Sequence, residues 1–418
     1  MNGLTINKDT QLEPRIHALA EGITIDADNV TLDGQGATMI GTDKTGAGIR
    51  VAGRKDVIIK NLRVLNYYHG ISIKESKGIE IQHCTITSTA EIGANSLFLD
   101  IWKPAVEAYG GAIFLEQVSD ANIHDNDLQH QMNGILSYQC KGLEVTRNNA
   151  SYCSGFGFHL FETCDSTFAD NYADFCCRYH LSEAGSHLGA DSAGFLIVFN
   201  SCNNIFRKNF ARLGGDGFFL AGLTPDGVDV GCNHNLFQEN DASYSPNNAF
   251  EGVFSQGNIY RANKADHSNY GFWLGFSSDC TVQDNQIHHN RQAGIAVENG
   301  IGFEVHGNDI QNNTHGILIW TRFYDFLKKV PDMNETSSDW LIERNKLIQN
   351  KKAIRIAADQ NHGVRALDGE KSPVTPNKHV IRKNEIRDNV IGIELEKVKE
   401  TQLDQNILDN FVTNFVER

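Results

Sequence analysis

Three carboxylates lie in similar sequence surroundings, in segments rich in glycine and aromatic residues. Asp191 falls in GADSAG, Asp216 in GGDGFF and Glu251 in NAFEGV. Glycine on both sides of Asp216 allows a ligand to approach the backbone closely. Phe219, Phe250 and Trp273 belong to the surroundings of Glu251, where desolvation raises a carboxyl pKa. Asp216 sits in a more polar corner and is expected to stay ionised. That division of roles fits a general acid (Glu251) and a nucleophile or water-activating base (Asp216). Asp191 is a candidate third member, and Asp226 and Asp229 lie in a loop able to fold over the site.

The elements that position these residues are repeats. GISIKESKGIEIQHC, GILSYQCKGLEVTRN, GFWLGFSSDCTVQDN and GIAVENGIGFEVHGN align as glycine, alternating strand, short turn and second strand. An Asn closes the unit at 126, 148, 171, 209, 240, 263, 285, 308, 345, 384 and 406, with a spacing of 22 or 23 where no loop intervenes. A second polar position recurs at Asn290, Asn313, Asn350, Asn389 and Asn410. One such coil cannot bury its own inner face, but stacking coils about 4.8 Å apart makes a continuous core. The expected fold is all-β: a right-handed parallel β-helix of about a dozen coils. Asn at a fixed turn is expected to take left-handed backbone geometry and to bond the Asn one coil away.

Counting from the opening glycine, positions plus one and plus three point inward, as with Ile71 and Ile73, Ile113 and Leu115, and Phe272 and Leu274. Positions plus two and plus four then point outward, and they carry Tyr138, His159, Phe161, Phe219, Glu251, Trp273, Glu298, Trp320 and Arg355. So apolar an outer face implies a ligand, a partner copy or covering loops. Aromatic rings beside carboxylates suit sugars, so these residues are candidate substrate contacts. Asp216 and Glu251 would lie on adjacent coils, three residues apart along the strand. Their carboxyl groups are then roughly 5–10 Å apart, a spacing used to cleave glycosidic bonds.

GITIDADNVTLDGQGATMIGTD followed by GIRVAGRKDVIIKNLRV resembles the first coils of the pectate-lyase-like β-helix superfamily. The resemblance runs over nearly the whole chain as a repeat. It implies carbohydrate chemistry, but the superfamily also holds uronate epimerases and the β-helix of nitrous-oxide-reductase maturation, so it identifies fold better than reaction. The leading expectation is a glycoside hydrolase or related glycosyl-transferring enzyme needing no cofactor. A polysaccharide lyase or uronate epimerase is the alternative, with Arg355, His159, Tyr138, Arg178 or His180 as base and calcium on Asp191, Asp216 and Glu251. A non-catalytic carbohydrate-binding β-helix is a third.

Net charge narrows the substrate. With 37 basic and 52 acidic residues the chain carries a formal −15 and no basic stripe. Nucleic acid is excluded as a natural partner, and a largely neutral glycan is favoured over a polyanion. No apolar run is long enough to span a membrane. The nine cysteines include Cys140, Cys164 and Cys280 just after predicted strands, which reads as a buried ladder. Reduced thiols and an N-terminus without an apolar leader favour the cytoplasm, or a secreted protein if the chain is trimmed. Residues 1–22 are expected to cap the solenoid. Insertions are placed at 91–111, 172–190, 223–232, 321–338 and 358–378, with a short amphipathic helix over Thr321–Val330. The apolar outer face is also compatible with a homo-oligomer.

Overall fold

Inward-facing residues stack in register from coil to coil, as the alternation requires. The computed structural model describes residues 3–93, 98–182, 185–189, 191–322, 330, 333–358 and 375–418. The chain divides into two compact units, Met1–Asp216 and Gly217–Arg418. Both are all-β parallel solenoids. The described residues hold no helix except a single 3-10 turn at Ala105–Glu107.

In the first unit Ile49, Ile71, Ile113, Ile135, Phe158 and Phe195 pair directly across successive parallel strands. None is more than 1% exposed. In the second unit Phe218, Phe250, Phe272, Ile295, Ile317, Ile354 and Ile393 form the matching column. Rings of Phe218, Phe250 and Phe272 stack at 5.1 and 4.9 Å. Each such side chain contributes about 1.5–3 kcal/mol when fully buried. The inward phase expected at plus one and plus three is therefore the one the chain adopts.

The recurring Asn residues form ladders inside the turns. In residues 217–418, Asn240, Asn263, Asn285, Asn308, Asn345, Asn384 and Asn406 each pass an amide hydrogen bond to the next at 2.9–3.1 Å. The second row does the same from Asn290 through Asn313 and Asn350 to Asn389 and Asn410. Each amide also serves the backbone: Asn285 Nδ2 donates to Tyr260 O at 2.9 Å, and its Oδ1 accepts from Asn263 N at 2.8 Å. The left-handed residue is not the Asn, as expected from sequence, but the one before it: Asp284 at φ 55°, Arg344 at 53°, Ala262 at 55°. The ladder satisfies buried peptide groups at a tight turn, which is why the position is Asn and not merely turn-tolerant.

Two further expectations change. Residues 1–22 are not a separate cap, since Leu4–Ile6, Thr10–Gln11 and Ile16–Ala18 pair with the three strands of the following coil as a first coil. Of the insertions, 98–110 and 223–232 are described, and 172–190 contains the antiparallel hairpin Arg178–Ser182 with Gly185–Gly189. Thr321, the first residue of the expected helix, ends the strand His315–Thr321, and residues 323–329 and most of 358–378 lie outside the described residues. The cysteine ladder is also incomplete. Cys140 and Cys280 are buried, but Cys164 aligns with Lys141 rather than with Cys140, so it faces outward and is half-buried.

Candidate functional site

Asp191 and Asp216 belong to the first unit. Asp216 opens the strand Asp216–Ala221, donates its backbone N–H to Ser192 O at 3.0 Å, and is 2% exposed. The neighbouring glycine serves packing: a Cβ on Gly215 would meet Ser192 O at 2.4 Å. Close approach of two backbones, not of a ligand, explains that residue. Asp191 adopts φ 60° and is partly exposed. Burial pushes its carboxyl up to about 6. A carboxyl raised by burial is thus found at Asp191, the candidate third member.

Glu251 is half-buried, with Phe219 and Trp273 beside it in register, and it accepts a hydrogen bond from Asn248 Nδ2. Trp273 and Trp320 are covered, not displayed, at 7% and 2% exposure. Their rings lie 5.6 Å apart in a cluster with Tyr270, Ala293, Ala296 and Leu318. Glu298 accepts a hydrogen bond from Trp320 Nε1 at 3.1 Å inside this second core. Arg355 is buried and bonds Glu394 and Glu396, the latter at 2.7 Å.

The outward aromatics of the first unit are sealed as well. Tyr138, His159 and Phe161 pack on one another at 5.2–6.4 Å, and Phe161 stacks on Phe199 at 4.2 Å. Residues 98–110 lie over this side, with Trp102 against Phe199 at 5.7 Å and Ala108 O accepting from Tyr68 Oη at 2.7 Å. Burial drives His159 down to about 3 and raises the Tyr138 phenol. Neither ring nitrogen of His159 meets a hydrogen-bonding partner among the described residues. Tyr138, His159, Phe161, Phe219, Trp273, Glu298, Trp320 and Arg355 therefore form packing and ion-pair structure rather than an open groove. The apolar face that motivated a homo-oligomer is buried within the single chain.

An accessible site exists elsewhere in the second unit. Gly227, Val228, Asp229, Asn233, Phe254, Ser255, Gln256, Phe276, Ser278, Met333 and Asn334 line a cleft of about 490 Å³. Phe254 and Phe276 sit at the same turn of adjacent coils and stack at 4.7 Å, 4° from parallel. Each ring gives one face to the other, and both residues line the cleft. Opposite them the 223–232 loop is folded by an antiparallel bridge between Leu223 and Asp229. Asp229 is exposed, and its Oδ1 accepts from Gly231 N at 3.0 Å. Asn334 Nδ2 donates to Ser277 O at 3.1 Å, anchoring the opposite rim. Of these residues the sequence pointed only to Asp229. The overlooked signal was Phe-Ser at 254–255 and again at 276–277, one coil apart.

The family model described as "Periplasmic copper-binding protein (NosD)" matches residues 189–417, more than half of the chain. The chain belongs to the NosD family. The model described as "Right handed beta helix region" matches residues 95–225 and fixes the hand of the solenoid. No curated protein matches the chain. Among solved structures, a point mutant of the periplasmic alginate epimerase AlgG is 11% identical, with 96% of this chain and 85% of that one covered and a TM-score of 0.49. The catalytic domain of a GH87 α-1,3-glucanase is 8% identical over 99% and 65%, at 0.47. The A-module of Azotobacter vinelandii mannuronan C-5 epimerase AlgE6 is 12% identical over 98% and 91%, at 0.44.

The NosD description names copper and the periplasm, and the cytoplasmic expectation finds no support in it. Among the described residues no three His, Cys, Asp or Glu side chains converge where they could hold a metal ion. Methionine, the other soft ligand, occurs only four times in the whole chain. The described donor set does not fit a resident copper centre. Among the described residues no helix is long and apolar enough to cross a membrane.

Proposed function

We propose that this β-helix is a carbohydrate-active protein of the periplasm that takes a largely neutral oligo- or polysaccharide in the 227–334 cleft. One observation carries the reading: a stacked aromatic wall and a set of amide and carboxylate groups line the same ligand-sized volume. A sugar ring has an apolar C–H side and a hydroxyl rim. The Phe254 and Phe276 rings suit the first; Asp229, Asn233, Gln256 and Asn334 suit the second. The net charge of −15 and the exposed Asp229 disfavour a uronate polymer.

Hydrolysis is the finer reading, and Asp191, which belongs to the first unit and is not among the described residues lining the cleft, is the residue that favours it, at a site of its own. A carboxyl pushed up to about 6 by burial stays protonated to a higher pH than an ordinary aspartate and, below about pH 6, can give that proton to a leaving oxygen. Asp216 follows in the next coil, its backbone bonded to the residue after Asp191. The lyase alternative has less support: Arg355 is held by two glutamates, Tyr138 and His159 are buried, and Arg178 Nη2 is spent on Gly93 O at 2.6 Å.

A panel of neutral oligosaccharides, with product masses recorded, tests both levels. The proposal expects saturable binding that Phe254→Ala weakens by about tenfold, or 1.4 kcal/mol. Hydrolysis expects cleavage that Asp191→Asn abolishes, with wild-type activity falling as pH rises through about 6. Binding without products leaves the carbohydrate module and removes the hydrolase. Absence of binding removes both.

A further inference from the structure

Cys164 and Cys202 occupy directly stacked positions in the first unit. Thr167–Ala169 pairs in parallel with Ile205–Arg207, and the same offset of 38 residues separates the two cysteines. Asp165 N donates to Cys202 O at 3.2 Å, and Cys202 N donates to Cys164 Sγ at 3.3 Å. Residues aligned on neighbouring strands have Cα atoms about 4.8 Å apart, inside the 4.4–6.8 Å span of natural disulfides. Both side chains are half-buried at the outer side of the turn. The remaining cysteines differ. Burial pushes Cys84, Cys140 and Cys280 up to about 12, and Cys153 is raised by its contact with Cys176 and by burial.

We propose that Cys164 and Cys202 form a reversible dithiol–disulfide site that reacts with low-molecular-weight disulfides. Hydrogen bonding from the Cys202 thiol draws Cys164 down to about 6, so at neutral pH it is the attacking thiolate. It attacks one sulfur of a disulfide such as oxidised glutathione. That S–S bond breaks, one glutathione leaves as thiolate and takes a proton from water, and a mixed disulfide remains on Cys164. Cys202 then loses its proton to solvent and attacks Cys164 Sγ, expelling the second glutathione. Two electrons pass from the dithiol to the oxidant; the Cys202 proton goes to solvent, and solvent protonates both released glutathione thiolates. The product staples two successive coils, and the chain between the two cysteines holds the Arg178–Gly189 hairpin and Asp191. The site is independent of the sugar-binding proposal.

The test uses the full-length reduced protein equilibrated with oxidised glutathione, quenched with acid and mapped by peptide mass. The expected result is one intramolecular link joining the Cys164 and Cys202 peptides, reversed by a dithiol reductant. Cys202→Ala should instead trap glutathione on Cys164. It should also slow Cys164 alkylation by iodoacetamide at pH 7 about tenfold, as the thiol loses its hydrogen-bond donor. Cys164→Ala should leave Cys202 largely unmodified over the same period. Separate alkylation of both thiols after equilibration overturns the proposal, as does a link through any other cysteine.

Discussion

Replacing Trp320 with Phe separates a residue that packs from one that binds. Trp320 is 2% exposed, and its Nε1 donates to the Glu298 carboxylate, itself 6% exposed, at 3.1 Å. Phe keeps much of the apolar volume but removes the donor. A hydrogen bond to a charged group contributes about 1.5–3 kcal/mol, and the smaller ring costs about 1 kcal/mol more in lost packing. Trp320→Phe should therefore lower stability by about 3 kcal/mol. In a Glu298→Gln background the loss should be smaller, because a neutral acceptor is less costly to leave unbonded. The cycle should show coupling of about 1 kcal/mol. Urea unfolding followed by far-ultraviolet circular dichroism reads this as a lower midpoint with an unchanged slope. A variant within about 0.5 kcal/mol of wild type that loses sugar affinity would refute the reasoning. Trp320 would then be a ligand contact.

The same reading of burial yields further expectations. Asn285→Ala strips a donor from Tyr260 O and an acceptor from Asn263, so it should cost about 2–4 kcal/mol, visible as a lowered melting temperature. Arg355→Ala leaves the Glu394 carboxylate, with its side chain 2% exposed, dependent on Lys352 and on the longer 4.0 Å contact with Arg418, and should cost about 3–5 kcal/mol in urea unfolding. Burial holds His159 at about 3 and His69, His315 and His379 at about 4, below the ordinary value. These groups contribute stability that is complete above the unfolded pKa of about 6.5 and is lost as pH falls toward 4. His159→Phe should reduce the slope of stability against pH between 6.5 and 5, where ordinary carboxylates have barely begun to protonate, and should leave the shares of His69, His315 and His379. An unchanged slope would place that titration elsewhere.

Much of the fold was legible in the sequence because a solenoid writes the same instructions many times. The alternation Ile-Ser-Ile at 71–73 and its counterparts set which side chains turn inward, and the Asn spacing set the coil length. The role of each Asn was not legible, since the same residue serves a left-handed turn or a buried amide ladder, and only the turn's peptide groups decide. The outer face misled for a related reason. Trp273, Trp320 and Tyr138 occupy outward positions, but position relative to one strand does not reveal what folds over it. Residues 98–110 lie over the Tyr138–Phe161 side, and Trp273 and Trp320 close against Tyr270 and Leu318. Gly215 was read as an opening for a ligand, whereas it admits the Ser192 backbone. Conversely, Phe254 and Phe276 sit in the turn just after the strand, both left-handed at φ 54° and 56°, outside the alternation that was counted. Cys164 escaped the cysteine ladder by a shift of one residue, which in a strand exchanges inside for outside.

Hydrogen–deuterium exchange on the protein saturated with a neutral oligosaccharide selected from the panel tests the sugar-binding claim most directly. Peptides covering 227–234, 254–257, 276–279 and 333–335 should exchange more slowly in the complex, and Phe276→Ala should remove that protection at the same ligand concentration. Protection confined to other turns, or a panel in which no neutral glycan changes exchange in those four segments, would contradict it.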